Sequence, residues 1–205
     1  MPTSLEIFEK YRSALVSRPL SAVWRGHGSA IFLEFGRLSP RVRRDGAAGK
    51  SQGELTVMIE WSWRIEGEDE ILCGSWSEEQ VWEEVLKSLF GRRIEDVSLF
   101  GRLPELSIAL AGGLFVASFM TADGQPQWTI FDHRSELQMS RLIEVRDGGV
   151  CENLETKNTP AELAPIPKSP ESSFNTVIWK ALRHASSFPQ CCQCVTSMSA
   201  SPRLT

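Results

Sequence analysis

Apolar and polar residues alternate along much of the first 150 residues, and this alternation predicts β-strands. The clearest case is ELTVMIEWSWRI at residues 54–65, where every second side chain is apolar and most of the others are polar. Because a strand points successive side chains to opposite faces, this segment predicts one strand with a buried and a solvated face. The apolar set is Leu55, Val57, Ile59, Trp61, Trp63 and Ile65.

Shorter alternating segments predict further strands, and the turns between them predict antiparallel pairing. Gly112 and Gly113 separate two such segments, and both positions of a type I′ turn require positive φ, so they indicate a hairpin. Asp147-Gly148-Gly149 indicates a second hairpin. The remaining predicted strands are 20–24, 30–35, 71–75, 94–100, 106–110, 114–119, 128–131, 142–145 and 150–152.

Two amphipathic segments predict helices. Thr3 and Glu6 have the spacing of a capping box at the start of a helix over 3–16. Ser77 and Gln80 repeat that spacing before a helix that reaches about residue 89. Many strands with short turns, and no βαβ rhythm, favour an α+β fold. We expect an antiparallel, strongly twisted sheet or half-barrel with two packed helices.

The composition changes after residue 153. The segment 154–205 holds six of the eleven prolines and many serines, and contains one candidate short helix near 174–183. Such a composition favours disorder. We therefore expect a globular α+β domain over 1–153 and a mostly disordered tail over 154–205.

Charge and hydropathy narrow the class of partner. The formal net charge is −4, so the chain lacks the basic excess that a general nucleic-acid binder needs. No run of about 18 apolar residues is present, and the N-terminus has no apolar core of a signal peptide. We expect a cytoplasmic protein that binds neither nucleic acid nor membrane, whose partner is another protein.

The candidate chemistry is sparse, and we expect no catalytic residue, no metal and no cofactor. His27 lies between two glycines next to Arg25, in a predicted turn. Its imidazole either takes part in a site near neutral pH or is an ordinary exposed side chain of the turn. The tryptophans Trp61, Trp63 and Trp76 line a ligand groove or belong to the core, and strict alternation favours the core for the first two. We take His27, Arg25 and Trp76 as the candidate ligand-binding residues.

The five cysteines do not change this expectation. Structural zinc needs four ligands, usually in pairs with regular spacing. Cys191, Cys192 and Cys194 lack a fourth ligand unless His184 or Cys151 joins them, so we interpret them as incidental. We interpret Cys73, which falls in a predicted strand, as a small buried hydrophobic residue.

Five segments carry a resemblance to a known group of proteins. They are VWRGHGSAIFLEFG (23–36), GELTVMIEWSWRIE (53–66), ILCGSWS (71–77), LFGRRIEDVSLFGRLPELSIALAGG (89–113) and QPQWTIF (125–131). Together they resemble a family of small uncharacterised bacterial cytoplasmic proteins, over residues 1–152. Some relatives of that type lie near polymorphic toxin systems, so the resemblance implies an immunity-like role. It brings no catalytic or binding residue.

Three functions remain open at this point. The first is a non-enzymatic, immunity-like protein that binds another protein. The alternative is a small-ligand binding module that uses a tryptophan-lined surface of the sheet. An enzyme is the third, and it requires His27 or a pair of carboxylates to meet other groups in a cleft.

Overall fold

The structure is a computed structural model that describes residues 3–43, 45–134 and 139–156. The segment from 157 to 205 lies outside the described residues. So do the candidate helix at 174–183 and the three clustered cysteines that the sequence analysis considered.

Two helices and eleven strands form within the described ranges. In chain order they are α1 (Ser4–Leu15), β1 (Leu20–Arg25), β2 (Ile31–Phe35), β3 (Leu55–Ile59), β4 (Trp63–Glu66), β5 (Ile71–Gly74), α2 (Glu79–Ser88), β6 (Ile94–Phe100), β7 (Glu105–Leu110), β8 (Leu114–Ser118), β9 (Trp128–Asp132), β10 (Met139–Arg146) and β11 (Gly149–Thr156).

The strands form two antiparallel sheets. Sheet I has six strands in the order β1-β2-β3-β9-β10-β11, and sheet II has five in the order β5-β4-β8-β7-β6. The predicted α+β class with two helices is confirmed. The expectation of one sheet or half-barrel is wrong, because the chain leaves sheet I after Ile59 and enters sheet II at Trp63.

The single strand predicted over 54–65 is therefore two strands, β3 and β4. Between them Trp61 adopts φ 58°, a left-handed conformation that ends the extended run. Apolar alternation is present on both sides of the break because β3 and β4 bury their apolar side chains in one hydrophobic core, although Trp61 itself lies outside that core. Periodicity alone could not separate one long strand from two strands of different sheets.

The two helices begin differently. At α1 the predicted capping box is present: the Thr3 Oγ1 accepts from the Glu6 N–H at 3.3 Å, and the Glu6 carboxylate accepts from the Thr3 N–H at 2.7 Å. The box predicted at Ser77 and Gln80 is wrong. The Ser77 hydroxyl instead accepts from the Gly74 N–H at 3.0 Å, and α2 begins at Glu79 without a side-chain cap.

Both predicted hairpins are present. Gly112 and Gly113 have φ of 86° and 71°, and they lie in the loop that joins β7 to β8. At the second hairpin, Asp147 and Gly148 also have positive φ, and Arg146 pairs with Gly149. β10 and β11 extend beyond the predicted 142–145 and 150–152 because their pairing continues to the Met139–Thr156 pair.

One core draws side chains from both sheets and both helices. Its largest fully buried side chains include Trp63, Trp128, Tyr11 and Phe35. Cys73 is 1% exposed, as the sequence predicted, and burial raises the pKa of its thiol to about 11. At that pKa the thiol stays protonated at neutral pH and is a poor nucleophile.

Candidate binding surface

Three connecting segments meet at one end of the sheets, and we call this meeting point the junction: Ser29, residues 61–63 and Ser75. The Ser29 hydroxyl donates to the Trp61 carbonyl at 2.7 Å. The Trp63 indole N–H donates to the Ser29 carbonyl at 2.6 Å, and the Ser75 N–H donates to the Trp63 carbonyl at 2.9 Å. These bonds tie the β1–β2 turn, the β3–β4 crossing and the β5–α2 turn together.

The junction carries two indoles on the outside of the molecule. Trp61 belongs to it and is 64% exposed, and Trp76 follows Ser75 and is 85% exposed. Trp63, by contrast, is fully buried. The sequence allowed two interpretations of these tryptophans, a ligand groove or the core. The groove interpretation is therefore wrong for Trp63, and the core interpretation is wrong for Trp61.

His27 lies in the exposed turn between β1 and β2. With Trp61, Phe32 and Glu60 it lines a cavity of about 460 Å³. Within the described residues no hydrogen bond holds the imidazole, although the His27 carbonyl accepts from the Ala30 N–H at 3.3 Å. The structure thus brings His27 to the same cavity as an indole that the sequence analysis had assigned to the core.

Arg25, two residues before His27, contacts helix α2. Its guanidinium donates to the Glu79 carboxylate at 2.8 Å and lies over the Trp82 ring, 4.4 Å from the centroid. The hydrogen bond to Glu79 raises the pKa of Arg25, and the same bond lowers the pKa of Glu79. Trp82 also meets Trp63 edge to face, with centroids 4.9 Å apart. Arg25 therefore covers a buried indole pair.

A larger open cleft of about 940 Å³ lies between β1 and α2. One wall is the end of β1, and the other is the helix with the residues that follow it. Its lining residues are Ala22, Val23, Trp24, Arg25, Lys50, Glu79, Gln80, Glu83, Leu86, Lys87 and Phe90. Of the three candidate residues, Arg25 lines this cleft, His27 lines the smaller cavity, and Trp76 adjoins the junction.

A buried polar network that the sequence did not predict lies on the face of sheet I that turns away from the core. Glu34 is 2% exposed, and its carboxylate accepts three hydrogen bonds. The donors are the Trp24 indole at 3.0 Å, the Gly53 N–H at 2.8 Å and the Thr56 hydroxyl at 2.5 Å. Three donors compensate the loss of water around the carboxylate. The available signal was one acid inside the apolar string IFLEF.

The network continues from Thr56 to a histidine. The His133 Nε2 is 3.2 Å from the Thr56 Oγ1, and its Nδ1 is 3.0 Å from the Ser140 Oγ. Ser140, His133, Thr56 and Glu34 thus form a series of two hydroxyls, an imidazole and a carboxylate, and the Gln52 amide nitrogen also lies 3.0 Å from the His133 Nε2. Thr56 and Ser140 are each 4% exposed, however, so neither hydroxyl can meet a substrate in this conformation. The network therefore joins strands β1, β2, β3 and β10 with His133, the residue that follows β9.

No cluster of three or more His, Cys, Asp or Glu side chains suited to a metal ion is found within 3–43, 45–134 and 139–156. In the same ranges, neither helix has the length and apolar character needed to cross a bilayer. Comparisons with protein-family models, with curated proteins and with solved structures find no match to this chain.

Proposed function

We propose that this chain is a non-enzymatic protein-binding protein and that the junction is its binding surface. The observation that carries the proposal is the exposure of Trp61 and Trp76 on a molecule that buries Trp63, Trp82 and Trp128 in its core. Tryptophan is enriched at the energetically dominant positions of protein interfaces, because it contributes a large apolar area and one donor. An immunity-like role, in which the partner is a toxin, agrees with the family resemblance.

The backbone of Trp61 supports the same proposal. A positive φ is unfavourable for a residue with a large side chain and costs about 1–3 kcal/mol. Here it accompanies an indole that contributes little to the core, since 64% of its surface is exposed. Strain of this kind concentrates at binding and catalytic sites. A function that needs an outward indole explains why the conformation is kept.

The experiment is affinity capture from a lysate of the source organism, with the full-length chain as bait. We expect one stoichiometric partner on the wild-type bait and its loss on the Trp61→Ala/Trp76→Ala double variant. Both side chains are largely exposed, so the double variant should fold. Circular dichroism and a thermal melt verify that it does.

The matched control is the Leu5→Ala/Leu103→Ala double variant, which removes two other exposed apolar side chains. It should retain the partner. Equal capture by both double variants would place binding elsewhere on the chain. Absence of any partner on the wild-type bait, while an unrelated control bait succeeds, would contradict a protein-binding function.

A second candidate function is small-ligand binding in the cavity between His27 and Trp61. Its volume of about 460 Å³ lies within the range of about 300–1,000 Å³ common for small-molecule sites. Its lining combines an aromatic ring, an imidazole and the Glu60 carboxylate, which suits a partly apolar ligand with a polar group.

A metabolite library screened by thermal shift and tryptophan fluorescence tests this second function. A ligand at 100 times its Kd stabilises the fold by about 2.7 kcal/mol, which is readily detected. The shift should disappear in Trp61→Ala and persist in Trp76→Ala. A library without any shift would count against the ligand site and leave the protein-binding proposal unaffected.

A further inference from the structure

The outer edge of β1 has backbone groups that point into the larger cleft. The Gly26 N–H donates to the Ala30 carbonyl at 2.8 Å. Because bonding and non-bonding residues alternate along an antiparallel strand, this bond identifies which residues of β1 bond to β2. Ladder bonds with β2 therefore fall at Trp24 and Ala22, and the N–H and C=O groups of Val23 and Arg25 point away from β2. Among the described residues, no strand pairs with that side, since β1 is the last strand of sheet I.

The same edge is already used for backbone pairing three residues before Val23, at Leu20, because the β1–β2 register shifts between Leu20 and Ala22. The Leu20 N–H donates to the Arg92 carbonyl at 2.8 Å, and the Gly91 N–H donates to the Leu20 carbonyl at 2.8 Å. The chain after α2 thus covers the start of β1 and leaves the rest of the edge open. A segment added beside Val23 and Arg25 would continue hydrogen bonding that the fold begins at Leu20.

The cleft beside this edge offers apolar contacts to the side chains of such a segment. Its wall on the α2 side includes Leu86, which is 8% exposed, and Phe90, which is 66% exposed. Alternate side chains of an added strand would point toward or away from these residues. An exposed aromatic residue at the mouth of an open cleft suits an apolar side chain of a partner.

The charges of the cleft favour an acidic segment. Arg25 is paired with Glu79 at 2.8 Å, and Lys87 with Glu83 at 2.8 Å. Lys50 is the remaining cation of the lining, and it has no ion pair within the part of the chain that the structure describes. A carboxylate on the incoming segment would complement Lys50, whereas a basic side chain would be repelled.

We propose that the β1 edge binds an extended, carboxylate-bearing segment of the partner protein, which adds to sheet I as a seventh strand next to β1. Addition of a strand to an exposed sheet edge is an established mode of peptide recognition, in which backbone bonds give affinity and side-chain contacts give specificity. This inference rests on the proposed protein-binding function and states what the partner supplies.

The test uses the full-length chain and a fluorescein-labelled octapeptide of alternating Val and Glu, measured by fluorescence anisotropy. Two matched peptides serve as controls: one with Lys in place of each Glu, and one N-methylated at alternate residues. N-methylation removes the donors that strand pairing requires. We expect both control peptides to bind at least tenfold more weakly than the Val–Glu peptide.

Two protein variants locate the binding. Lys50→Glu should weaken the Val–Glu peptide and strengthen the Val–Lys peptide, whereas Arg102→Glu, the same charge change away from the cleft, should do neither. Val23→Pro removes an N–H that makes no bond to β2, so the β1–β2 ladder is kept while the open edge is interrupted. It should reduce binding at least tenfold, and Val23→Thr should not.

Several results would overturn the inference. They are absence of Val–Glu binding, equal binding of the N-methylated peptide, and binding that Lys50→Glu and Val23→Pro leave unchanged. Self-association that Val23→Pro abolishes would assign the edge to a second copy instead. If the Val–Glu peptide does not bind while capture of the partner still depends on Trp61 and Trp76, the strand proposal is contradicted and the proposed function is retained. If capture fails as well, both fall.

Discussion

Trp61 and Trp63 are two residues apart and belong to one alternating pattern, yet the fold treats them in opposite ways. Trp63 is fully buried, donates its indole N–H to the Ser29 carbonyl and meets Trp82 edge to face. Trp61 is 64% exposed and its backbone has positive φ. Alternation in the sequence therefore predicts on which side of a strand an indole lies. The backbone at the sheet crossing decides whether that side is buried.

The largest expected difference between the two indoles is in stability. Trp63→Ala removes a fully buried ring and its hydrogen bond, and should lower the free energy of unfolding by about 4 kcal/mol. Trp61→Ala should change it by less than about 0.5 kcal/mol, as for other exposed positions. Urea unfolding of both variants measures the difference, and similar losses would contradict the separation of core and surface indoles.

A third indole, Trp24, extends the comparison because a buried acid holds it. Glu34→Gln replaces one carboxylate oxygen with a donor, so one of the three donors to Glu34 then faces another donor. We expect a loss of about 2 kcal/mol in the free energy of unfolding. Trp24→Phe removes one of those donors, so the double variant should lose less than the sum of the single losses. Additive losses would show that the introduced glutamine avoids the conflict by rearrangement.

Backbone strain at Trp61 gives a smaller effect. Because a side chain is unfavourable at positive φ, Trp61→Gly should be more stable than Trp61→Ala by about 1 kcal/mol. Both variants should lose the captured partner. If glycine is less stable than alanine, residue 61 is extended in solution, and strain can no longer support the proposed function.

The smallest expected effect concerns the ion pair above the buried indoles. The hydrogen bond from Arg25 lowers the pKa of Glu79, so the stabilisation from the pair is present above the ordinary carboxyl pKa. It is lost as the pH falls through the lowered value. The NMR signals of the Arg25 guanidinium report this titration. Glu79→Gln should abolish the titration and leave the near-UV circular dichroism unchanged. A changed spectrum would mean that the pair helps to position Trp82.

Sequence patterns predicted the local structure at several turns and caps, but not at Ser77, whose hydroxyl accepts from the Gly74 N–H and does not cap α2. The capping box of α1 and the positive φ of Gly112 and Gly113 followed from nearest neighbours alone. The break at Trp61 could not be predicted, because alternation continues across it and only the long-range pairing of β3 and β4 with different sheets separates them.

The candidate site shows the same limit. His27 and Arg25 were identified as polar residues of a turn, but their cavity and cleft depend on Trp61 and on α2, which the fold brings from elsewhere in the chain. The Glu34 network needed residues from four separate strands. Its one local sign, an acid in an apolar strand, does not reveal which donors will meet it.

The order of sheet I has a consequence for how the chain folds during synthesis. β3 is a central strand, and its second neighbour is β9, so Val57 pairs with Ile130. While the ribosome makes the intervening segment, the hairpin of β2 and β3 has an apolar face and a row of open backbone donors and acceptors. Pairings that are distant in sequence form slowly, and unpaired edges in nascent chains favour aggregation. We therefore expect this protein to depend on chaperones until β9 has emerged.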